Sequence, residues 1–540
     1  RTLARRIAKG RTNILGSLGN AGKHYHGDLM ERSQLLLLAL TGNWGRHGSG
    51  VRAWTTVGLI FGAQGAGATA QMLEQLEQMQ SAAIEQDPSL TPAIVQVEMS
   101  RAIGGMAMSP PVFLWYRHAG YDKVWGKKEW HDESMARPFS DYFDEAVEKN
   151  WWFGADYPKN EQPPRVLVEC GGNVLRRTRG GTKMLLEHLW PQLTMVVTAD
   201  VRMSTTALYS DIVLPIAAQY EKIAFGIPST HTMNLTFCDQ VTEPPGEAVH
   251  EWEAFRRVSE RVAIRAHERG FKPYTDAHGR PHDLAAGIES FPTEGAYEDD
   301  ARIADTRLRD GALTGTLPPS ASLEDIRKVG YYRWQSLGPG PREQAQATDV
   351  KPDETFVPFR KHVEDGEPWP TLTRRAQFLI EHPWFIEADE HLPRHKDQPK
   401  SGGDYGLNVS SGHNRWSLHS LNIANGLMLD THRGTPHVVI NNRAAEERGI
   451  KDDDMVRVFN DQGEFRVRAK VSPSAHPYQI CMYNGWEPYQ HPNWQGANDA
   501  EPGMVKWLHF AGGYGHLKYS PLQWQPCPVM RNTKVEVEKE

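Results

Sequence analysis

The stretch Arg165-Val-Leu-Val-Glu-Cys-Gly-Gly-Asn173, continued by Thr194-Met-Val-Val-Thr-Ala-Asp200 and Asp211-Ile-Val-Leu-Pro215, decides the fold. Each piece carries a short apolar run of the length and β-branched content of a buried strand. Gly171-Gly172-Asn173 breaks the first run, Thr182 to Trp190 reads as a helix, and Thr205 to Ser210 as a helical turn. This alternation predicts a parallel sheet with helices on its faces. Glycines let backbone approach a phosphate closely, and a following helix start offers free N–H groups at its positive end. Asp200, at the tip of the second strand, suits a ribose or a base edge. No GxGxxG fingerprint is present, so the unit reads either as a nucleotide cleft or as an ordinary turn between helix and strand. Arg176, Arg177 and Arg179 beside it suit a diphosphate or a solvated basic turn.

Working outward, residues 1–60 are punctuated by glycines around one helix, Asp28 to Leu40, and Thr2 to Gly10 reads as an amphipathic helix. A helical stretch from Ala68 to Glu85 precedes a Trp/Tyr/Met-rich loop region. Glu247 to Arg269 is a long helix, acidic at its start and basic at its end, as the helix dipole favours. Residues 270–400, rich in Pro, Gly, Asp, Glu and His, predict surface connections with little core. From about residue 404 the chain turns to strands: His437 to Ile440, Asp454 to Phe459 and Glu464 to Val471. Asp461-Gln-Gly463 turns the last two into a hairpin, and a short helix spans Ala444 to Arg448. A compact barrel fits this pattern. The expected division is 1–155, 156–330, 331–400 and 401–540.

The chain has 540 residues, 39% of them hydrophobic, enough for several buried cores. Its formal net charge of −7 excludes a broadly basic nucleic-acid binder. The four cysteines, Cys170, Cys238, Cys481 and Cys527, form no CxxC pair, so this chain alone offers no iron–sulfur or zinc-ribbon ligand set. The longest early apolar run, Leu35 to Leu40, is far short of the ~20 residues of a spanning helix. Arg5-Arg6 is followed by no apolar region and does not read as an export signal.

Gly16-x-x-Gly19-x-x-Gly22-Lys23 fails as a P-loop, because Ser17 replaces a required glycine and His24 follows the lysine. The loop still carries Lys23, His24, His26 and Asp28, which can hold or move protons; the plainer reading is a helix start capped by Asp28. Ser410 to Ser420 packs Ser411, Gly412, His413, Trp416 and His419 ahead of the barrel strands, as a polar ligand loop or an ordinary capped loop. In His391-x-x-x-His395, Pro393 prevents a regular helix, and no metal ligand is assigned in this chain.

In this order the segments resemble the molybdopterin oxidoreductases of the dimethyl sulfoxide reductase family. The matching pieces are Leu40 to Gly50, Glu169 to Leu175, Asp200 to Ala207, Ser210 to Pro215, Gly412 to Ser420, and Ile440 through Asn460. The resemblance is to the catalytic alpha subunits of the second branch. It implies parallel-sheet α/β nucleotide-binding domains followed by a C-terminal β-barrel of the double-psi type. The implied cofactor is molybdenum held by bis(molybdopterin guanine dinucleotide). Carried over by position, Gly171, Gly172, Asn173, Leu175 and Arg176 line one diphosphate, and Asp200 meets guanine or ribose. Ser204, Thr205 and Asp211 share that pocket, and Ser411, Gly412, His413, Trp416 and His419 contact pterin or phosphates.

Lys23-x-Tyr25-His26-Gly27-Asp28 and the closing His516-Leu-x-Tyr519-x-Pro521-x-x-Trp524-Gln525-Pro526 look most like ethylbenzene dehydrogenase and steroid side-chain dehydrogenases. The implied reaction hydroxylates an activated C–H bond of a hydrocarbon or steroid with water. Electrons leave to an iron–sulfur beta subunit, beside a haem b gamma subunit, in a periplasmic heterotrimer; a cytoplasmic site stays open. Lys23, His26 and Asp28 are the candidate catalytic groups and Trp54 an apolar wall, each with a structural alternative. The rival functions are an oxyanion reductase (nitrate, selenate or chlorate) and a non-catalytic nucleotide-binding chain. The family's 4Fe–4S domain and the segment bearing its Asp ligand to molybdenum cannot be placed. The resemblance therefore covers the later half of such a subunit, and the cluster is expected only in a preceding part or a partner.

Overall fold

The computed structural model describes residues 1–15, 23–52, 70–90, 95, 111–149, 151, 163–226, 234–275, 281–287, 299–335, 353–413, 419–420, 422–514 and 533–540. Trp54, Trp416, the glycines at 16, 19 and 22, and the closing motif from His516 to Pro526 lie outside the described residues. Two short parallel strands, Asn13–Leu15 and Gly50–Arg52, bracket helix α1 (Gly27–Leu40).

In the expected loop region before residue 155, the described residues are largely helical instead. It forms α2 (Pro111–His118), α3 (Tyr121–Trp125) and α4 (Phe139–Glu148). In α4 the buried residues Phe139, Tyr142, Phe143 and Ala146 follow the i, i+3, i+4, i+7 spacing of an amphipathic helix. They join Trp115, Tyr121, Trp125, Trp130, Trp384, Trp507 and Phe510 in one aromatic core. The aromatics that suggested a loop are core residues, because adjacent short helices turn them all to one side. Gly120 at φ 82 makes the corner between α2 and α3, where a Cβ would strike the His188 ring at 2.2 Å.

The decisive stretch folds as its alternation predicts. Strands β1 (Val166–Cys170), β2 (Met195–Asp200) and β3 (Ile212–Pro215) form a parallel sheet with β2 central. Between them lie α5 (Val174–Arg177), α6 (Gly181–His188) and α7 (Thr205–Leu208). The long helix α8 (Glu251–Glu268) begins with Glu251 and Glu253 in its first turn and ends on Arg265 and His267.

The expectation of little core across 270–400 does not hold. Helices α9 (Asp300–Leu313) and α10 (Leu323–Val329) pack Leu308, Leu323 and Ile326 with Leu317, Tyr332, Trp334 and Leu235. Helix α11 (Pro383–Glu387) inserts Trp384 and Phe385 into the aromatic core. Polar composition hid these apolar residues, because residues such as Leu308, Leu323 and Ile326 lie singly among charged neighbours and runs such as Trp384-Phe385-Ile386 are short.

The C-terminal region is a closed six-stranded barrel of β4 (Leu407–Gly412), β5 (His437–Ile440), β6 (Met455–Phe459), β7 (Glu464–Val471), β8 (Gln479–Tyr483) and β9 (Lys534–Lys539). Around the barrel the order is β4-β8-β5-β7-β6-β9. The pairs β4/β8 and β5/β7 are parallel and the others antiparallel. Alternate residues such as Val456, Val458, Phe465 and Val467 face inward, each contributing ~1.5–3 kcal/mol by burial. Among the described residues, no helix is long and apolar enough to cross a membrane.

Candidate functional site

The candidate site is at the carboxyl ends of β1 and β2, the place where open parallel sheets receive ligands. Gly171 has φ 62 and open space where a Cβ would stand, whereas at Gly172 a Cβ would fall 1.5 Å from Glu169 Oε1. Asn173, which follows β1, adopts φ 62 and ψ 58, a left-handed conformation uncommon for a residue with a side chain. Its Oδ1 accepts from Thr206 N (3.2 Å) and Thr206 Oγ1 (3.0 Å). Its Nδ2 donates to both carboxylate oxygens of Glu487, at 2.8 and 3.0 Å.

Glu487, on the loop after β8, is fully buried. It also accepts from Thr205 N (3.1 Å), Thr205 Oγ1 (2.6 Å) and Arg202 Nη2 (2.6 Å). Burial pulls its carboxyl up, but the Thr205 hydroxyl, Arg202 and Asn173 together hold it below the ordinary range. One barrel carboxylate thus ties together the ends of two strands of the parallel sheet.

The site mixes arginines with carboxylates: Arg202 faces Glu487, Arg177 faces Glu169 and Arg179 faces Glu501. Burial among Arg179, Arg202 and Arg177 pushes the Arg176 guanidinium down to about 10, against the opposing pull of Glu487. Nε of Arg176, Nε of Arg177 and Nη1 of Arg202 are buried without hydrogen-bond partners. Buried donors left open suit an anion such as a phosphate. The barrel loop reaches the same place: the His413 and His419 rings meet edge to face at 4.5 Å. Burial, then His413, Arg176 and Lys23, press the His419 imidazole toward its neutral form. Lys23, the glycine-turn helix and the barrel loop therefore converge. Gly485 permits the approach, since a Cβ there would stand 1.9 Å from the His419 carbonyl oxygen.

A second polar cluster lies behind the Lys23–Asp28 loop. Lys506 Nζ, almost wholly buried, contacts Asp28 Oδ1 (2.9 Å), Asp28 Oδ2 (3.1 Å) and Glu390 Oε2 (2.5 Å). His26 stands between Asp132 (Nε2 to Oδ2, 3.2 Å) and Glu390 (Nδ1 to Oε1, 3.6 Å). Lys396 Nζ bridges the same two carboxylates at 2.5 and 3.3 Å. Burial raises the Asp28 carboxyl, but Lys506, His509 and Arg32 overcome this and hold it at about 2. Asp132 is likewise buried, yet bonds from His26, Lys396 and Ser134 keep it well below the carboxylate range. Ligand atoms of His26, Asp132 and Glu390 lie within 4.8 Å of one another. Two ammonium groups already neutralise those carboxylates, so the cluster is an ion-pair network rather than a built cation site.

The remaining sequence candidates fall in three places. Leu175 is a core residue whose N–H donates to Thr206 Oγ1 at 3.1 Å. Ser204 caps α7, Asp200 ends β2, and Ser411 and Gly412 end β4. Asp211 requires correction. Its carboxylate accepts Val196 N at 2.7 Å, near the start of β2. That is four residues from Asp200, about 13 Å along an extended strand, so Asp211 does not share the pocket. Sequence reasoning missed Glu487, Arg202, Asp132, Glu390, Lys396 and Lys506. Their partners lie up to several hundred residues away, and no local spacing marks them.

Residues 13–261 match the Molybdopterin oxidoreductase family, and residues 407–504 match the Molydopterin dinucleotide binding domain. Over both regions the chain is similar to the molybdopterin oxidoreductases. The two matched regions are the ones that meet at the candidate site.

The chain is 29% identical over 530 residues to the respiratory nitrate reductase subunit alpha of Haloferax mediterranei, covering 95% of this chain and 49% of that one. It is 26% identical over 539 residues to the perchlorate reductase subunit alpha of Dechloromonas aromatica, covering 99% and 52%. To the dimethylsulfide dehydrogenase subunit alpha of Rhodovulum sulfidophilum it is 29% identical over 399 residues, covering 73% and 42%. The chain spans about half the length of the curated relatives it matches. The family's cofactor is molybdenum with bis(molybdopterin guanine dinucleotide). The open glycine turn and the unpartnered arginine donors fit its nucleotide phosphates.

Proposed function

We propose that this chain is part of the catalytic alpha subunit of a molybdenum-dependent oxidoreductase that reduces an oxyanion of the nitrate, chlorate or perchlorate class. The observation that carries this reading is the likeness over nearly the whole chain to relatives named as nitrate and perchlorate reductase alpha subunits. Hydroxylation of an activated C–H bond, suggested by the Lys23–Asp28 loop, has less support. A dimethylsulfide dehydrogenase among the relatives favours an oxidative reaction as the second reading.

When bound, the cofactor supplies the two-electron redox chemistry. Gly171 to Asn173 and Thr205 shape the nucleotide's seat, and Arg176 and Arg202 neutralise phosphate. Asp28, kept ionised by Lys506, fixes the loop that carries Lys23 toward His419. His26 can hold a proton between Asp132 and Glu390. Alpha subunits among the relatives support a beta partner. The iron–sulfur identity of that partner, a haem b gamma subunit and a periplasmic site belong to the same proposal.

The test supplies a reduced viologen donor with nitrate, chlorate or perchlorate, and in parallel an artificial acceptor with aromatic hydrocarbons and dimethyl sulfide. Donor oxidation dependent on oxyanion supports the proposal. Turnover of hydrocarbon alone would sink it.

A further inference from the structure

We propose that Glu487 is a positioning residue for the guanine dinucleotide, a barrel carboxylate that acts through Asn173 and Thr205 to set the shape of the Gly171–Gly172 turn. This rests on the dinucleotide reading of the site and extends it to a residue that touches no glycine itself.

The hydrogen-bond pattern assigns the role. Asn173 Oδ1 is occupied by Thr206, so only its N–H2 group faces Glu487. Thr205 presents two further donors, its N–H and its hydroxyl, to the same carboxylate. Three donor groups from the ends of β1 and β2 and one from Arg202 therefore converge on an acceptor that has no hydrogen of its own. Asn173 directly follows the glycine turn and holds a left-handed conformation. Its amide is fully used, which is what such a conformation needs to persist. Withdrawing Glu487 frees the Asn173 side chain, and the turn that admits the diphosphate relaxes with it. Arg202 Nη1 stays open while Nη2 is bound, so Glu487 aims that guanidinium without consuming it.

The two side chains are complementary, and this gives a decisive variant set. In E487Q one of the two oxygens that accept from Asn173 becomes an N–H2 group, so one of the two Asn173 contacts sets donor against donor. In N173D two carboxylates face each other. In the double variant N173D/E487Q the introduced amide donates to the introduced carboxylate, whose other oxygen still accepts from Thr206, and the amide oxygen still accepts from Thr205, while Arg202, which donates to the replaced oxygen, loses that acceptor.

The full chain is purified from a host that makes molybdopterin guanine dinucleotide. Guanosine monophosphate released by acid is counted per chain, beside the thermal unfolding profile. Each single variant is expected to lose nucleotide at least fivefold, and the double variant to recover at least half. Full content in E487Q would overturn this inference alone. If E487Q does not accumulate as folded protein, N173D against the double variant decides, and a double variant no better than N173D would overturn the inference. Parent protein with no guanosine nucleotide would overturn the dinucleotide reading and this inference with it.

Discussion

Lys506→Met tests the ion-pair network where its charges are most tightly balanced. Lys506 is almost completely buried, and its ammonium faces Asp28 on one side and Glu390 on the other. Methionine matches its length and removes the charge, leaving two desolvated carboxylates. Breaking a buried ion pair on one side costs ~3–5 kcal/mol. Lys396 remains 3.3 Å from Glu390, so the lower end, about 3 kcal/mol, is expected. The fall of the Asp28 carboxyl from 3.8 to about 2 corresponds to about 2 kcal/mol of that total. Trp507, next in the chain, is buried in the aromatic core with Trp115, Trp125, Trp130 and Trp384, so tryptophan emission follows unfolding of that core among the chain's 17 tryptophans.

With about 1 kcal/mol per degree of unfolding entropy for 540 residues, the transition should drop by roughly 3 °C. The pH dependence should also change sign. In the parent the Asp28 pKa is depressed, so its contribution is present above pH 3.8 and lost as pH falls through about 2. In the variant, burial acts with far less opposition and raises the Asp28 pKa above its unfolded value. Stability then falls as pH rises from about 4 toward 8. A variant that melts within about 1 °C of the parent, with the same pH trend, would refute the reasoning.

Other outcomes follow from single contacts. Burial pushes the Asp499 carboxyl up to about 7 despite bonds from the Gly496 and Lys183 backbone. The folded state therefore favours the protonated acid, and its contribution is lost as pH rises from about 4 to 7. D499N should be more stable than the parent at pH 8, by up to about 4 kcal/mol, with the advantage vanishing near pH 4; denaturation at the two pH values checks this. Gly485→Ala places a Cβ 1.9 Å from the His419 carbonyl at φ 102. It should displace His419 and lower bound nucleotide while leaving barrel circular dichroism unchanged. Trp384→Ala should cost ~3–5 kcal/mol by opening a cavity in the aromatic core, seen as a lower thermal transition.

The legible parts of the sequence were those with short-range logic. Runs such as Val166 to Cys170 and Met195 to Asp200 show their strand character in their own composition, although Val166 and Val168, expected to be buried, stay about half exposed, and the Asp461-Gln-Gly463 turn joins two strands that alternate cleanly. The glycine turn with its arginines was legible for the same reason, since its chemistry lies within ten residues. Glu487 was not, because its meaning depends on Asn173, 314 positions earlier. Lys506 looks like any surface lysine until Asp28 and Glu390 are folded around it. The aromatic core was misjudged because Trp115, Trp125 and Trp130 lie on helices too short to show a period, and Trp384-Phe385-Ile386 is a brief apolar run inside a polar stretch.

The central claim is that the site between the parallel sheet and the barrel loop holds this family's cofactor. It is tested most directly by elemental and nucleotide analysis of the purified protein from a cofactor-producing host. The account predicts molybdenum together with about two guanosine monophosphates released per molybdenum. Folded protein carrying neither molybdenum nor guanosine nucleotide would contradict it.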